Sequence, residues 1–308
     1  MKRKVIQLAG KTLVVSLPSR WARRVGIKKG DEVDVDDKDS RLIISAASHP
    51  SAERAVFDAR GLEPRMLSWG LGALNKRGFD EIEVLFEDAE TVRLVHDLVR
   101  SLFIGSAITE QSGSRLIIRS VSTEVPGEAD SALRRAFMVT LSLGDSLVEY
   151  LKAGRYAELE GLLHLEQTNN QLVNFCERIL VKYGHSEYRK TCFAYIVAWN
   201  LEKVCDCLAA IAKSLSGLAE SRQVSGQFIS LAQESNALLR AYYEALYMPG
   251  ADRVKVVPEL AARKSEIYRG AQHFLQKCQR HESASVALLM EQLDLVSNFS
   301  AAFIALSV

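Results

Sequence analysis

The chain has 308 residues, which is long enough for two or three domains with cores of their own. Its 39 basic and 38 acidic residues nearly cancel, so no overall charge marks nucleic acid or a membrane surface as a partner. The sequence has no apolar run of about 18 residues and no signal peptide, which predicts a cytoplasmic protein without membrane insertion. The five cysteines are not spaced as zinc ligands, and we expect buried thiols in a reducing compartment.

The first 45 residues alternate short apolar strands with one short helix. Two strands join at Ala9-Gly10, Pro18 is a favourable helix start, and GIKKGD is a tight turn that needs its glycines. Each strand has one apolar face, and a unit of this size buries too little surface to be stable alone, so we expect it to pair with a second copy. The predicted elements are strands 3–8 and 11–17, a helix over Pro18–Val25, and strands 31–36 and 41–45.

The charges of this N-terminal segment are unevenly distributed. Residues 1–30 hold nine basic side chains and no acid, whereas residues 31–49 hold six acids and two basic side chains. This separation predicts one positive and one negative surface, and the positive one suits a phosphate backbone because each contact releases a condensed counterion. A solvated helix face would carry the same charges, so the charge pattern alone leaves both interpretations open.

The segment KRKVIQLAGKTLVVSLPSRWARRVGIKKGDEVDV resembles the AbrB/SpoVT/MazE class of swapped-hairpin domains. The resemblance implies that residues 1–48 form an interleaved homodimer that binds DNA, with dimerisation or partner binding as the alternative use of the domain. Lys11 stands where an arginine is common, which keeps the charge but loses bidentate recognition of a base. The predicted DNA-binding residues are Arg3, Lys4, Lys11, Arg20, Arg23 and Arg24.

Residues 50–125 predict a small α+β domain that follows a linker at His49-Pro50-Ser51. The order of strands and helices, βαβαββ, suggests one sheet with its helices on one side. No phosphate-binding loop is present. We therefore expect a connector or a dimerisation layer, with small-ligand binding as the alternative. The predicted strands are 54–59, 80–86, 107–110 and 115–120, and the predicted helices are 63–76 and 89–103.

From residue 126 onward the chain has almost entirely helical periodicity, after a break at Val125-Pro126-Gly127. We expect a doubled antiparallel bundle of three plus three helices, with repeats at about 129–219 and 224–308. The predicted helices are 129–153, 156–182, 189–218, 224–248, 257–280 and 283–307. The clearest apolar seam is in the third helix and consists of Leu201, Val204, Leu208, Ile211 and Leu215.

Two carboxylates, Glu202 and Asp206, lie one turn apart beside this seam. Ninety-two residues later, Asp294 and Asn298 take the same positions in a weaker copy of the helix. A chain that repeats an acid-bearing helix in this way indicates a two-fold internal repeat.

The third helix, NLEKVCDCLAAIA, is similar to the hallmark D-L-E-R-I-G-D-H-x-x-N-I-A of the PhoU family of phosphate-signalling regulators. The resemblance implies divalent or iron-type metal ions at the bundle surface. The implied metal ligands are Glu202, Asp206, Glu166, Asn170, Asp294 and Asn298. The amides supply oxygen without charge, so metal affinity should fall where they replace acids. Without metal, the acids on the third helix would be exposed charges paired with Lys203 or Lys213.

The order of the three domains resembles that of archaeal PhoU proteins with an AbrB-type N-terminus. This implies a phosphate-responsive transcriptional regulator that binds DNA through the N-terminal domain and senses or docks through the bundle. The alternative is a dimeric adaptor that regulates a phosphate transporter ATPase or a signalling protein without binding DNA. An enzyme is not expected, because no nucleophile has a base partner and the six histidines lack ligand spacing.

Overall fold

The computed structural model describes residues 2–38, 41–46, 53–125, 127–218 and 223–307, and 66% of it is helical. The chain divides into two compact units, Met1–Arg54 and Ala55–Val308. The prediction of a mainly helical protein with small N-terminal β-hairpins is confirmed. The predicted linker at His49-Pro50-Ser51 and the proline of the predicted break at Pro126 lie outside the described residues.

The N-terminal unit consists of two hairpins and one helix. Ala9 and Gly10 form the first turn with positive φ angles of 49° and 80°. The first hairpin is shorter than predicted, because only the pairs from Ile6↔Val14 to Leu8↔Thr12 are in register. The elements are β1 (Ile6–Leu8), β2 (Thr12–Val14), α1 (Ser19–Val25), β3 (Val33–Lys38) and β4 (Arg41–Ala46).

This unit leaves its apolar side chains uncovered. None of its residues with a described side chain is buried, and Leu13 and Leu42 are 70% and 62% exposed. Apolar residues on both hairpins share this exposure, among them Val5, Ile6, Leu8, Val15, Val35 and Ile43. A single copy therefore cannot bury the apolar faces of its strands, and pairing with a second copy would cover them.

The middle layer is a four-stranded sheet in the order β5-β6-β8-β7, and the predicted order βαβαββ is confirmed. Its elements are β5 (Arg54–Asp58), α2 (Pro64–Lys76), β6 (Glu81–Leu85), α3 (Ala89–Leu102), β7 (Ser106–Gln111) and β8 (Arg115–Ser120). Alternate residues such as Val84 and Ile118 point to the helix side and pack with Leu67 and Val95. The opposite face carries ion pairs of Arg119 with glutamates.

The rest of the chain is a bundle of six long helices around one core. They are α4 (Glu128–Ala153), α5 (Leu163–Tyr183), α6 (Thr191–Ser216), α7 (Gly226–Leu246), α8 (Gly250–Leu275) and α9 (Ser283–Ser307). The predicted seam from Leu201 to Leu215 is buried throughout. No helix in the described part of the chain combines the length and apolarity needed to cross a bilayer.

Two of the predicted helix boundaries are wrong. Residues 156–162 form a 3₁₀ helix, so α5 begins at Leu163. The fifth bundle helix spans Gly250–Leu275 rather than 257–280, because Pro258 lies inside it instead of near its start. Pro258 is exposed, so the hydrogen bond that a proline cannot donate is missing on the solvent side of the helix.

The cysteines are free thiols, as predicted, but two of the five are not buried. Cys176, Cys205 and Cys207 lie in the bundle interior, whereas Cys278 is half-buried and Cys192 is exposed in the first turn of α6. Burial raises the pKa of the Cys207 thiol to about 12, so this group is inert at neutral pH.

The third helices of the two predicted repeats, α6 and α9, pack against each other. Asn298 donates a hydrogen bond to Asn200 at 3.0 Å, and the hydroxyls of Ser214 and Ser285 lie 2.8 Å apart further along the two helices. Because a higher number on one helix pairs with a lower number on the other, the two helices run antiparallel. The two halves of the bundle therefore meet along the helices that carry the repeated acids.

Candidate functional site

The basic surface of the N-terminal unit contains the six predicted DNA-binding residues. All six are exposed: Arg3 and Lys4 precede β1, Lys11 ends the first turn, and Arg20, Arg23 and Arg24 lie on α1. We call this set the basic surface. Residues 2–30 contain no acidic residue, so this segment carries only positive side-chain charge.

The end of α1 holds two of these arginines in place. Gly26 follows the helix with φ 79°, and the N–H of Ile27 donates to the carbonyl of Ala22 at 2.9 Å. Arg23 and Arg24 occupy the last turn, where a positive side chain complements the helix dipole. The Nε of Arg23 also donates to the carbonyl of Ser19 at 3.3 Å.

A second candidate site lies where α5 and α6 pack side by side. It contains four of the six predicted metal ligands, which we call the acid cluster: Glu166, Asn170, Glu202 and Asp206. Asn170 donates to the Glu166 carboxylate along α5. The ammonium of Lys203 lies 3.2 Å from Glu202 and 2.9 Å from Asp206.

The carboxylates of the acid cluster influence one another. Burial raises the pKa of Glu166, and the nearby charges of Asp206 and Glu202 raise it further, against the opposing hydrogen bond from Asn170. Burial alone would lower the pKa of Lys203, but the carboxylates of Glu202 and Asp206 outweigh this effect and raise the pKa. The site is therefore a mixed-charge centre with an excess of negative groups.

The remaining two predicted ligands lie elsewhere on the bundle. Asp294 pairs with Lys264 of α8 at 2.6 Å, and Asn298 is engaged with Asn200. Both line a groove of about 530 Å³ between α8 and α9, next to Tyr268. The two acid-bearing segments therefore differ: Lys203, on the same helix, pairs with Glu202 and Asp206, whereas Lys264, on the neighbouring helix, pairs with the single acid Asp294.

The donor atoms of these residues decide whether a metal ion fits them. Within the described residues, no group of three or more histidine, cysteine, aspartate or glutamate side chains is close enough to hold a metal. In the acid cluster, however, Asn170 Oδ1 and Glu202 Oε2 are buried without a hydrogen-bond donor. Carboxylate and amide oxygens are ligands that hard cations prefer, and a cation here would satisfy these two atoms. The metal site stays a prediction.

Sequence reasoning missed the groups that connect this site to the middle layer. Lys76, from the end of α2, lies 2.6 Å from the buried Glu177 and 3.9 Å from Glu202. Its ammonium is also 5.1 Å from the ring centre of Trp199. Burial, with the charges of Glu177 and Glu202, raises the pKa of Tyr195 to about 12. No local pattern could reveal this group, because its members come from three distant segments.

A comparison with protein families bears on the N-terminal unit. Residues 6–51 match the model of the family described as antidote-toxin recognition MazE, bacterial antitoxin. This confirms the predicted MazE/AbrB-type domain for that segment. No curated protein sequence and no solved structure matches the chain. The resemblance of the bundle to PhoU therefore stays a prediction.

Proposed function

We propose that the protein is a dimeric, DNA-binding transcriptional regulator of phosphate uptake. The observation that carries the proposal is the N-terminal unit, which matches the MazE family and presents both the basic surface and an uncovered apolar face. Pairing of two copies covers the apolar strands and places two basic surfaces on one particle, which can contact two stretches of DNA backbone.

The bundle would supply the regulation. Its resemblance to PhoU supports a role in sensing phosphate status or docking on a phosphate transporter ATPase or signalling protein. Such a ligand or partner changes DNA binding only if it prefers one of two states of the dimer, and the coupling must then act in both directions. Adding the partner should change DNA affinity by the same factor by which DNA changes affinity for the partner.

The DNA role predicts that Arg23→Ala/Arg24→Ala weakens binding to promoter fragments in a salt-dependent way. The slope of log affinity against log salt should become shallower by about one unit for each phosphate that the variant no longer neutralises. Fluorescence anisotropy across a salt series measures this slope. Arg263→Ala/Arg269→Ala is a matched control, because Arg269, like Arg23, donates to a carbonyl four residues earlier on an exposed helix face. Equal reductions in affinity in both variants would contradict a specific role for α1.

The printed description of the family also favours a second function. Antidote-toxin recognition is binding of one protein by another, and the same domain could serve here as a dimeric adaptor without DNA. The two functions separate in the same assay. A wild-type dimer that shows no salt-dependent binding to any promoter fragment would support the adaptor and exclude the regulator.

We further propose that the acid cluster holds one hard cation, with Glu202, Asp206, Glu166 and Asn170 as oxygen donors. The cation would supply the positive charge that Lys203 alone does not. Isothermal titration with Mn²⁺ should show one site per chain, and Glu202→Gln/Asp206→Asn should abolish it. Asp294→Asn is the control that should leave it intact, because Asp294 is already held by Lys264. Heat release unchanged by the double substitution would exclude this site.

A further inference from the structure

The sheet of the middle layer has two edges, β5 and β7, and they differ. A register shift between Ile108 and Glu110 interrupts β7, and an irregularity of this kind bends a strand and blunts its edge. Along β5, exposed and half-buried residues alternate as in a regular strand, and Val56 at its centre is 65% exposed. A regular, exposed edge is a template for another strand.

The backbone of β5 is oriented for such pairing at Val56. The N–H of Ala59 donates to the carbonyl of Leu85 at the end of β6, at 2.9 Å. The N–H and C=O groups of successive residues point to opposite sides of a strand. Phe57 and Ala55 therefore direct their N–H and C=O groups toward β6, as Ala59 directs its N–H. Val56 directs its N–H and C=O away from the sheet, where a further strand would bind.

The sequence of β5, Arg-Ala-Val-Phe-Asp, is complementary to itself in antiparallel pairing. Asp58 pairs with Arg60 of its own chain, at 2.6 Å. A two-fold axis at Val56 places Arg54 of each copy opposite Asp58 of the other, where a second cation beside the carboxylate adds a cross-strand pair of opposite charge. A register shifted by two residues toward the C-terminus would place Arg54 opposite Arg60, which is unfavourable. The charges therefore favour the register centred on Val56 over the register shifted toward the C-terminus.

The helix above β5 extends this surface. A Cβ on Gly70 would overlap the Phe57 ring, so α2 packs directly on β5 at this point. Met66 lies one turn before Gly70 on the same side of α2, and Trp69 lies beside it; they are 50% and 58% exposed. Two such flanks would meet across the axis and cover each other's apolar surface.

We propose that β5 forms a second contact between two copies of this chain, joining their four-stranded sheets into one continuous antiparallel-paired sheet. The inference rests on the proposed N-terminal dimer. Because β5 begins eight residues after β4 ends, dimerised hairpins raise the effective concentration of one β5 for the other. The middle layer is then a dimerisation layer that fixes how the two bundles are held.

Thiol crosslinking tests the contact in the full-length chain. The background carries Cys192→Ser, which removes the exposed native thiol. With a short bismaleimide reagent, Val56→Cys should crosslink into dimers at least about tenfold faster than Val121→Cys, since pairing holds the two thiols together. Val121 is the matched control, because its side chain is 63% exposed and lies after β8, away from β5.

Charge exchange tests the register. In the Val56→Cys background, Arg54→Asp or Asp58→Arg alone should slow crosslinking, because each places like charges opposite one another. The double substitution Arg54→Asp/Asp58→Arg should restore the rate, since opposite charges face each other again. Slow crosslinking in the double variant would overturn the proposed register.

The mass of the reduced Cys192→Ser parent in solution separates the two possible failures. A dimeric parent in which Val56→Cys crosslinks no faster than Val121→Cys would overturn the β5 contact and leave the N-terminal dimer in place. A monomeric parent would overturn both. Circular dichroism of each variant confirms folding, which surface substitutions at Val56 and Val121 should not disturb.

Discussion

At the scale of single residues, Gly70 and Gly72 of α2 have different reasons for being glycine. A Cβ on Gly70 would overlap the ring of Phe57, whereas a Cβ on Gly72 would meet nothing within 4 Å. The sequence places both glycines inside one helix and cannot tell them apart. Only the first is needed, because it lets α2 approach β5 closely.

This difference predicts opposite effects of the same substitution. Gly72→Ala should raise the free energy of unfolding by about 0.5–1 kcal/mol, because alanine loses less backbone entropy in a helix. Gly70→Ala should lower it by about 1–3 kcal/mol through overpacking against Phe57. Urea unfolding of the two variants measures both, and each is the control for the other. A loss of stability in Gly72→Ala would contradict the open space found there.

A buried arginine shows the same dependence on distant residues. Arg178 of α5 is 1% exposed and donates to Glu124 at 2.6 Å. It also donates to the carbonyls of Asn75 and Phe79, at 2.9 Å and 2.8 Å, where α2 ends. A charge this deeply buried requires such partners, and none of them is near it in sequence.

At the scale of elements, the packing of α6 on α9 decides how the two predicted repeats join. The apolar seam of each helix explains why it is buried, but apolar contacts alone permit several registers. The pairs Asn200–Asn298 and Ser214–Ser285 fix one of them. Asn200 and Ser285 are buried, so a shift in register would leave each of these polar side chains without its hydrogen bond.

At the scale of the whole molecule, a buried ion-pair network joins the middle layer to the bundle within the Ala55–Val308 unit. Glu124, in the connection between β8 and α4, accepts hydrogen bonds from Arg178 and from Lys182, at 2.6 Å and 2.9 Å. Lys182 also binds Asp80 at the start of β6. Arg178 and Lys182 of α5 thus bind both the middle layer and the connection that leads from it into the bundle. The middle layer and the bundle belong to one compact unit.

This network predicts a loss of stability in acid. Burial alone would raise the pKa of Glu124, but the hydrogen bonds from Arg178 and Lys182 outweigh it and the pKa is lowered from its ordinary 4.5. A carboxyl group whose pKa is lower in the folded state than in the unfolded state stabilises the fold at pH values above its ordinary pKa. That contribution is lost as the pH falls through the lowered pKa. Urea unfolding across a pH series from neutral to acid should show this loss.

Glu124→Gln should remove part of that pH dependence and cost about 1–3 kcal/mol at neutral pH, because hydrogen bonds to a charged acceptor are weakened. Glu160→Gln is the control, since Glu160 is exposed and forms no ion pair with the described residues. An unchanged acid transition in Glu124→Gln would show that other carboxylates control it.

The sequence by itself determined the local features of this protein. The periods of apolar residues identified the strands and helices. The charge separation near the N-terminus and the MazE-type pattern identified the basic surface and the need for a second copy. Each depends on residues within a few turns of one another, so local physics is sufficient. The two wrong helix boundaries arose where a proline on the solvent side was tolerated and where a 3₁₀ turn preceded a helix.

Only the tertiary structure decided what the acid-bearing helices meet. Glu202 and Asp206 are visible in the sequence, but their surroundings come from α2 and α5: Lys76, Glu177 and Glu166. The two acid positions look alike in the chain, yet one adjoins other carboxylates and the other adjoins Lys264. Electrostatic environment depends on distances between segments, and those distances are set by packing rather than by sequence spacing.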